Sequence, residues 1–385
     1  MNHTYLDHNA TTPVSPAALE AFVHISREVY GNASSIHHAG QNARRELESA
    51  RMSVARMLGC GPKEIVFTSG GTESDNMALF GALRLKGSPA HLITTTIEHP
   101  AILQAAAQLE REGHAVSYVP VGSSGVVDPD GIRAAIRPDT ALISVMHVNN
   151  EVGSIQPLAE IARIAREHGI PMHSDGVQAA GRMPVNVADL GLDFYTASGH
   201  KMNSPKGTGV LFVRKGAKLS PLLFGGRHEQ GRRPGTENVA GAVALGAAAA
   251  LAASASAAEF LQPGLRDRLE ARALEAIPDL LINCADSPRA ANTSSLCLPG
   301  IEGEAVVIAL DLRGFCVSSG AACSSGSVEP SHVLTAIGLS RPNAKSCIRL
   351  SLGRDNTVDE VDAFVDALAD VAARLRRLSP DYAHA

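Results

Sequence analysis

Short apolar segments alternate with helical segments through the first half of the chain, and this alternation limits the possible folds more than any other feature. The apolar segments have the length and composition of buried strands: 65–68, 91–95, 115–119, 140–145, 171–174, 192–195 and 210–213. Segments such as 41–58 and 158–168 have helical spacing. Strands separated by helices indicate a mainly parallel sheet with helices on both faces, so we expect an α/β fold.

Polar side chains follow directly after several of these strands. They are Thr72, His99, Asn150, Asp175, Gln178, His200 and Lys201. In open α/β sheets, ligands bind at the carboxyl ends of the strands. We therefore expect these side chains to surround one pocket.

The segment 69–76 follows the first of these strands and begins a helix. Its glycines permit a tight turn, and the free amides at a helix N-terminus attract an anion. The segment matches neither the dinucleotide pattern GxGxxG nor the P-loop pattern, which disfavours nucleotide binding. We predict that Gly71 and Thr72 hold a phosphate group.

Lys201 lies at a strand end among small and hydroxylated residues, which suits a lysine that holds an aldehyde cofactor as a Schiff base. Pyridoxal phosphate needs such a lysine, donors for its phosphate, a carboxylate at its ring nitrogen and a flat group on its ring. The chain can supply these in order from Lys201, from Gly71, Thr72, Ser198 and His200, from Asp175, and from His99. Each residue taken singly could be a helix cap or a core residue, but their shared position favours the cofactor.

Composition excludes several other classes of protein. The net charge of −5 and the aromatic content of 4% disfavour nucleic acid as a partner. The longest apolar run, the alanine-rich 239–258, predicts a packing helix and no membrane span. The N-terminal residues lack the features of a signal peptide, so we expect a cytoplasmic protein. The six cysteines show no CxxC spacing, and we expect neither a disulfide framework nor a metal.

One cysteine differs from the others in its surroundings. Cys323 is at the centre of the small-residue segment 318–327, which has no apolar periodicity and predicts a loop with one thiol. The remaining cysteines lie in or beside apolar runs and are predicted to be structural: Cys60, Cys284, Cys297, Cys316 and Cys347.

A change of composition near Pro263 indicates a second region with an α+β pattern. Its predicted strands are near 280–283, 293–298 and 347–351, and its predicted helices are near 302–313 and 358–378. We expect a large cofactor-binding domain over residues 16–260. Residues 1–15 and 261–385 would form a smaller α+β domain that carries the Cys323 loop.

The chain resembles the cysteine desulfurases of the nitrogen-fixation and housekeeping iron–sulfur type, within the class V aminotransferases. The resemblance runs from Tyr5 to Arg354 and is carried by the motifs at 68–76, 98–99, 149–153, 198–201, 233–238 and 318–323. It implies a fold type I pyridoxal-phosphate-dependent transferase, with a mainly parallel seven-stranded sheet in the large domain and a smaller α+β domain. It also implies a homodimer.

The resemblance assigns a role to each candidate residue. Lys201 becomes the Schiff-base lysine and proton shuttle, and Cys323 becomes the nucleophile. The implied cofactor contacts are Asp175 at the ring nitrogen, Gln178 at the ring hydroxyl, His99 stacked on the ring, Gly71, Thr72, Ser198 and His200 at the phosphate, and Thr236 from the second subunit. The implied substrate contacts are Asn150, Asn32 and Arg349, the last as the carboxylate-binding arginine.

The implied reaction converts L-cysteine to L-alanine. Substrate displaces Lys201 from the cofactor, whose electron sink weakens the carbon–sulfur bond. The Cys323 thiolate then attacks the sulfur and keeps it as a persulfide for a sulfur acceptor or scaffold protein, in iron–sulfur cluster or thio-cofactor biosynthesis. A free cysteine has a pKa of about 8.5, so we expect a base such as His99, or the cofactor itself, to take the proton.

The chain departs from the family at three places. It has 202–204 (Met-Asn-Ser) where we expect an aromatic-glycine pair, and Gly176 where alanine is usual. It also has 227–228 (Arg-His) before Glu229, in a loop that usually reads Gly-Gly-Gln-Glu. None of these changes removes a catalytic group, but the first two border the predicted pocket.

Other functions remain compatible with the same residues. A selenocysteine lyase or another class V aminotransferase would keep the cofactor and change the substrate, although a transaminase needs no thiol such as Cys323. The non-enzymatic alternative is a sulfur-carrier or assembly subunit that keeps the fold but turns over poorly.

Overall fold

The computed structural model describes residues 3–86, 89–254, 264–319 and 329–379. The strands of this part of the chain are β1 (Thr4–Tyr5), β2 (Ile65–Thr68), β3 (His91–Thr95), β4 (Ala115–Val119), β5 (Thr140–Ser144), β6 (Met172–Asp175), β7 (Phe194–Ser198), β8 (Gly209–Val213), β9 (Leu281–Ile282), β10 (Thr293–Cys297), β11 (Phe315–Cys316), β12 (Ser318–Ser319) and β13 (Cys347–Ser351). The helices are α1 (Pro16–Glu28), α2 (His38–Leu58), α3 (Gly71–Lys86), α4 (Pro100–Arg111), α5 (Pro129–Ala134), α6 (Leu158–Glu167), α7 (Val239–Ser254), α8 (Leu265–Ala276), α9 (Gly303–Asp311), α10 (His332–Ala336), α11 (Arg341–Lys345) and α12 (Val358–Leu378). Short 3₁₀ turns are Pro62–Glu64, Gly199–Lys201 and His228–Gly231.

Seven of the described strands form one sheet in the order β2-β8-β7-β6-β5-β3-β4. Within this sheet β8 runs antiparallel to both of its neighbours, and the other pairs are parallel. The prediction of an α/β fold with a mainly parallel seven-stranded sheet is therefore confirmed.

Side chains of the sheet alternate between two apolar cores. Ile65 and Phe67 of β2 belong to the core on the side of α2, α6 and α7. Val66, which lies between them, belongs to the core on the side of α3 and α4. Because successive strand residues point to opposite faces, helices can bury both sides of the sheet.

Helix α7 consists mainly of small residues and packs against α1 and α2. A Cβ atom at Gly246 would lie 2.7 Å from the Cα atom of Ala50, so α7 and α2 approach at backbone distance. The prediction of a packing helix is confirmed. Among the described residues, no helix combines the length and the apolar character that a membrane span requires.

The C-terminal part of the chain forms a four-stranded antiparallel sheet in the order β12-β13-β10-β9. An apolar core beside it combines Leu6 with residues between 265 and 372. Leu334 and Cys347, however, contribute to the core of the large sheet. The domain boundaries drawn from the sequence remain a prediction.

A buried ion pair fixes the loop that precedes α7. Glu229 is buried, and its two carboxylate oxygens accept hydrogen bonds from Arg51 at 2.7 and 2.8 Å. The backbone amide of Phe67 donates to the same carboxylate at 3.1 Å. Glu229 and Gln230 have left-handed backbone conformations, with φ of 47° and 59°. The carboxylate thus joins α2, β2 and the loop whose sequence departs from the family.

Replacing Arg51 by methionine should lower the free energy of unfolding by about 3 kcal/mol, because Glu229 then stays buried without its cation. Chemical denaturation followed by circular dichroism measures this loss. Arg133→Met is the control, since Arg133 pairs with the partly exposed Glu167 and its loss should cost less than about 1 kcal/mol. Equal losses in the two variants would contradict the prediction.

Candidate functional site

A cavity of about 180 Å³ opens where the strands of the large sheet end. The predicted residues in its lining are Gly71, Thr72, His99, Asn150, Asp175, Gln178, Ser198, His200 and Lys201. A larger open groove of about 800 Å³ lies where strands begin, near Thr140 and Phe194, and contains none of them. The expected convergence of strand-end residues is observed, while their roles remain predictions.

Lys201 is held at this cavity by the N-terminal arm. Its Nζ atom donates to the carbonyl oxygens of Asn9 at 2.6 Å and Ala10 at 2.8 Å. The arm is fixed in turn by Thr12, whose amide and hydroxyl both donate to the carbonyl of His200, at 2.9 and 3.0 Å. An amine is thus held beside the ends of β6 and β7.

Asp175 ends β6 and is buried, with 6% of its surface exposed. Its Oδ1 atom accepts a hydrogen bond from the amide of Val177 at 2.9 Å. Burial raises the pKa of Asp175, whereas His99 and Lys201 lower it. A cationic ring nitrogen in the cavity would favour the carboxylate form in the same way.

His99 caps helix α4 with its side chain. Its Nδ1 atom accepts a hydrogen bond from the amide of Ala101 at 3.1 Å. A neutral ring that accepts at Nδ1 carries its proton at Nε2. Burial lowers the pKa of His99, which favours this neutral form. His99 is therefore a proton donor in this arrangement, and the predicted role as a base requires Nδ1 to leave the cap.

The start of α3 forms one end of the cavity. Gly71 begins the helix, and a Cβ atom there would lie 2.9 Å from Cγ2 of Val177, too close for any other residue without movement. The carboxylate of the nearby Glu73 accepts hydrogen bonds from the amide of Ser69 at 2.7 Å and from Arg233 at 2.8 Å, so it is directed away from the first-turn amides of α3. These first-turn amides consequently favour a negative group.

Within the described part of the chain, three predicted residues are absent from the cavity lining. Thr236 lines a separate cavity. Asn32 is exposed, and its side chain accepts a hydrogen bond from the amide of Ser34 at 2.9 Å. Arg349 is buried next to the cavity, and Cys323 lies outside the described residues.

Arg349 is connected to the cavity through its neighbours. It donates to Oδ1 of Asp7 at 2.7 Å and to the carbonyl oxygen of Asn150 at 3.2 Å. The guanidinium group therefore already has a carboxylate partner, which a substrate carboxylate would have to share or replace.

Sequence reasoning missed Asn9 and Arg182, which hold the predicted residues together. The side chain of Asn9 donates to the carbonyl of Asn150 at 3.1 Å and accepts from Arg182 at 2.6 Å. Arg182 also donates to the carbonyl of Lys201 at 3.0 Å. One available signal was the spacing of Arg182, four residues after Gln178, which places both on one side of a helical turn.

Two buried acids beside the cavity were also missed. Asp75 is part of the lining, and burial followed by repulsion from Asp175 raises its pKa. Burial raises the pKa of Glu98 to about 8. Oε1 of Glu98 accepts hydrogen bonds from Thr95 at 2.7 Å and from the amide of Met146 at 2.9 Å.

The unusual Gly176 is explained by the residue beneath it. A Cβ atom at Gly176 would lie 1.9 Å from Cζ of Tyr195. The Tyr195 ring is fully buried, and its hydroxyl shares a hydrogen bond of 2.9 Å with Nδ1 of His147. The tyrosine occupies the space that an alanine side chain would need.

The unusual segment after Lys201 anchors the N-terminal arm. Asn203 adopts a left-handed backbone with φ of 63°, and its side chain donates to the carbonyl of Pro13 at 2.8 Å. Met202 is buried against Gly181. Asparagine tolerates this conformation better than most residues.

The described thiols differ in how readily they would form a thiolate, since a hydrogen bond with Cys347 lowers the pKa of Cys297 whereas burial raises the pKa of others. Cys284, Cys297 and Cys347 are buried, and Cys60 and Cys316 are partly exposed. Burial raises the pKa of Cys60 to about 12 and that of Cys284 to about 11.

One group of potential metal ligands lies outside the cavity. Ligand atoms of His3, Asp311 and Cys316 are within 4.8 Å of one another, and the first two side chains are exposed. This group has no contact with the cavity lining and does not bear on the expectation of a metal-free site.

Comparisons with known proteins identify the family of this chain. The model of the class V aminotransferases matches residues 4–364 of this chain. A cysteine desulfurase of Nostoc sp. (strain PCC 7120) is 44% identical over 381 residues, which are 99% of this chain and 95% of that protein. A solved NifS-like protein has 36% identity and a TM-score of 0.90, covering 97% of this chain and 100% of that one. A solved structure of SspA in complex with cysteine has 34% identity and a TM-score of 0.81, covering 92% of this chain and 99% of that one.

Gly176→Ala should lower the free energy of unfolding by about 2–3 kcal/mol, because the new methyl group overlaps the ring of Tyr195. Adding Tyr195→Leu should recover much of this loss. Gly122→Ala is the control, since no atom lies within 4 Å of its added Cβ, and its change should stay within about 0.5 kcal/mol. Thermal or urea unfolding measures the series, and a Gly176→Ala variant as stable as the control would contradict the prediction.

Glu98→Gln should become more stable relative to the wild type as the pH rises from about 4.3 to about 8. The unfolded carboxyl has a pKa of about 4.3, and burial raises the folded pKa to about 8. The wild type therefore loses stability across this window, because the carboxyl ionises in the unfolded chain while the folded Glu98 stays protonated, whereas glutamine does not ionise. Urea denaturation at several pH values measures the difference, and a difference independent of pH would contradict the prediction.

Proposed function

Because the chain belongs to the class V aminotransferases and, within them, to the cysteine desulfurases, we propose that it converts L-cysteine to L-alanine with pyridoxal 5′-phosphate and carries the sulfur as a persulfide. The observation that supports this most directly is the cavity itself. It combines an amine (Lys201), a buried carboxyl (Asp175), a histidine (His99) and a helix start suited to an anion.

The residues of the cavity fit the cofactor in shape and charge. The glycine at the start of α3 leaves a cradle that a Cβ atom would fill, and Asp175 is a carboxyl group to which a ring cation would be complementary. The proposed contacts are Asp175 at the ring nitrogen, Gln178 at the ring hydroxyl, His99 on the ring, and Gly71, Thr72, Ser198 and His200 at the phosphate. Pyridoxal phosphate, when bound, supplies an electron sink for a carbanion at the substrate α-carbon.

The protein groups would supply binding and proton transfer. Lys201 would transfer protons at the substrate once its amine is released from the carbonyls of Asn9 and Ala10. His99 would donate from Nε2, and Cys323 is proposed as the nucleophile that accepts sulfur. Asn150, Asn32 and Arg349 are proposed to bind the substrate, with Arg349 exchanging part of its bond to Asp7 for the substrate carboxylate.

We also propose that the protein works as a homodimer. Three large side chains near the N-terminal part and before α7 are strongly exposed: Tyr30 at 83%, Ile36 at 94% and Phe224 at 85%. Covering such groups is a common reason for association. Thr236 lies outside the cavity of its own chain, which is compatible with a role in the partner's site.

We propose three further properties of the protein. They are the division into residues 16–260 and residues 1–15 with 261–385, a cytoplasmic location, and transfer of sulfur to an acceptor or scaffold protein for iron–sulfur clusters or thio-cofactors. A selenocysteine lyase is the second candidate reaction, because it would use the same cavity and cofactor.

Protein loaded with pyridoxal phosphate should be yellow. Borohydride should abolish the absorption band of the wild type by reducing the imine, whereas Lys201→Ala should contain no imine that borohydride can reduce. With cysteine and a reductant, the wild type should produce alanine and sulfide. Cys323→Ala should lose roughly 100-fold or more of this activity, because the sulfur has no nucleophile to attack it.

Cys60→Ala is the matched control, since Cys60 is a partly exposed thiol remote from the cavity and should keep full activity. A colourless protein would refute the cofactor. Wild-type alanine production by Cys323→Ala would refute the nucleophile. A Cys323→Ala variant that loses cysteine turnover but keeps selenocysteine turnover would favour the lyase.

A further inference from the structure

The side-chain amide of Gln178 is held at both of its ends. Its Nε2 atom donates to the carbonyl oxygen of Asn9 at 3.1 Å, and its Oε1 atom accepts from Nη1 of Arg182 at 2.6 Å. A carbonyl oxygen only accepts and a guanidinium group only donates, so these two partners fix which end of the amide is oxygen. The amide has one permitted orientation.

Arg182 is held in place by hydrogen bonds to residues other than Gln178. Its Nε atom donates to the carbonyl of Lys201 at 3.0 Å, and Nη2 donates to the carbonyl of His8 at 2.6 Å. Nη1 also donates to Oδ1 of Asn9 at 2.6 Å. Burial lowers the pKa of Arg182 to about 10, which still leaves the guanidinium charged at neutral pH.

The fixed orientation determines what Gln178 offers to the cavity that it lines. The oxygen is occupied by Arg182, and one of the two Nε2 hydrogens is occupied by Asn9. The second lone pair of that oxygen is weakened as an acceptor by the bonded cation, so the strongest remaining polar group is the second Nε2 hydrogen, which can only donate. A donor stabilises an oxyanion and disfavours a protonated hydroxyl at the same place.

We propose that Arg182 is a positioning residue that, through Gln178, makes this wall of the cavity select a deprotonated ring hydroxyl. The inference rests on the proposed function, because it requires pyridoxal phosphate in the cavity. Without Arg182 the amide could turn over and present its oxygen, which would favour the protonated hydroxyl.

The test is a spectrophotometric pH titration of the imine between Lys201 and the cofactor. In Arg182→Met the imine pKa should rise by about one unit or more, because a ring oxyanion that loses a charge-assisted hydrogen bond holds the imine proton more tightly. Gln178→Ala should give a similar rise. The double variant should rise no further than either single variant, because both remove the same hydrogen bond.

Two control variants separate this role from general damage. Arg182→Lys keeps a donor for the Gln178 oxygen and should stay within about 0.3 units of the wild-type pKa. Arg166→Met alters a residue of the groove at the other edge of the sheet and should leave the titration unchanged. An Arg182→Met titration equal to the wild type, or a double variant with additive shifts, would overturn the proposal.

A second measurement does not depend on whether Arg182→Met folds. Cofactor-free wild-type protein should bind 4′-deoxypyridoxine 5′-phosphate, which cannot form an imine, with its ring hydroxyl deprotonated in the ultraviolet spectrum at neutral pH. A protonated bound hydroxyl would overturn the inference and leave the proposed function standing. A wild-type protein that forms no borohydride-reducible imine would overturn both.

Discussion

The hydrogen bonds of Asn9 are the contacts on which the whole site depends. Its carbonyl oxygen accepts from Lys201 and Gln178, so one atom sets the positions of the amine and the amide. Its side chain joins Arg182 to the backbone of Asn150. Asn9 is 2% exposed, and its amide donates to Oγ of Ser351 at 2.8 Å. The large sheet supplies the strand ends, but this one residue fixes them relative to one another.

Charge in the cavity is governed by burial more than by ion pairing. Burial keeps the pKa of His200 at about 4 and raises the pKa of Glu98 to about 8. Both groups are therefore uncharged at neutral pH, although neither has lost its hydrogen bonds to the protein. Lys201 and Asp175 can therefore respond strongly to a charged ligand, because neither His200 nor Glu98 adds a competing charge.

The sequence predicted the parts of the site that depend on local patterns. Strands β2, β3 and β4 were predicted at their observed bounds, because short segments rich in β-branched and aromatic residues distinguish strands. Strand β7 extends to Ser198, beyond the predicted 192–195, because pairing with β8 holds small residues that have little strand propensity of their own. Arg182 could not be assigned, because its partner Asn9 is 173 residues away and only the folded chain brings them together. The position of Cys323 rests on sequence alone.

The N-terminal arm also has a consequence for the order in which the protein can be completed. Asn9 precedes Ser351, whose hydroxyl accepts a hydrogen bond from its backbone amide, by 342 residues. Thr293 and Asn292, which bind its side chain, are also made late. Contacts of such long sequence separation form slowly, since the intervening chain must first close. During synthesis, all the strands of the large sheet are therefore made before the residues that hold Asn9 in place.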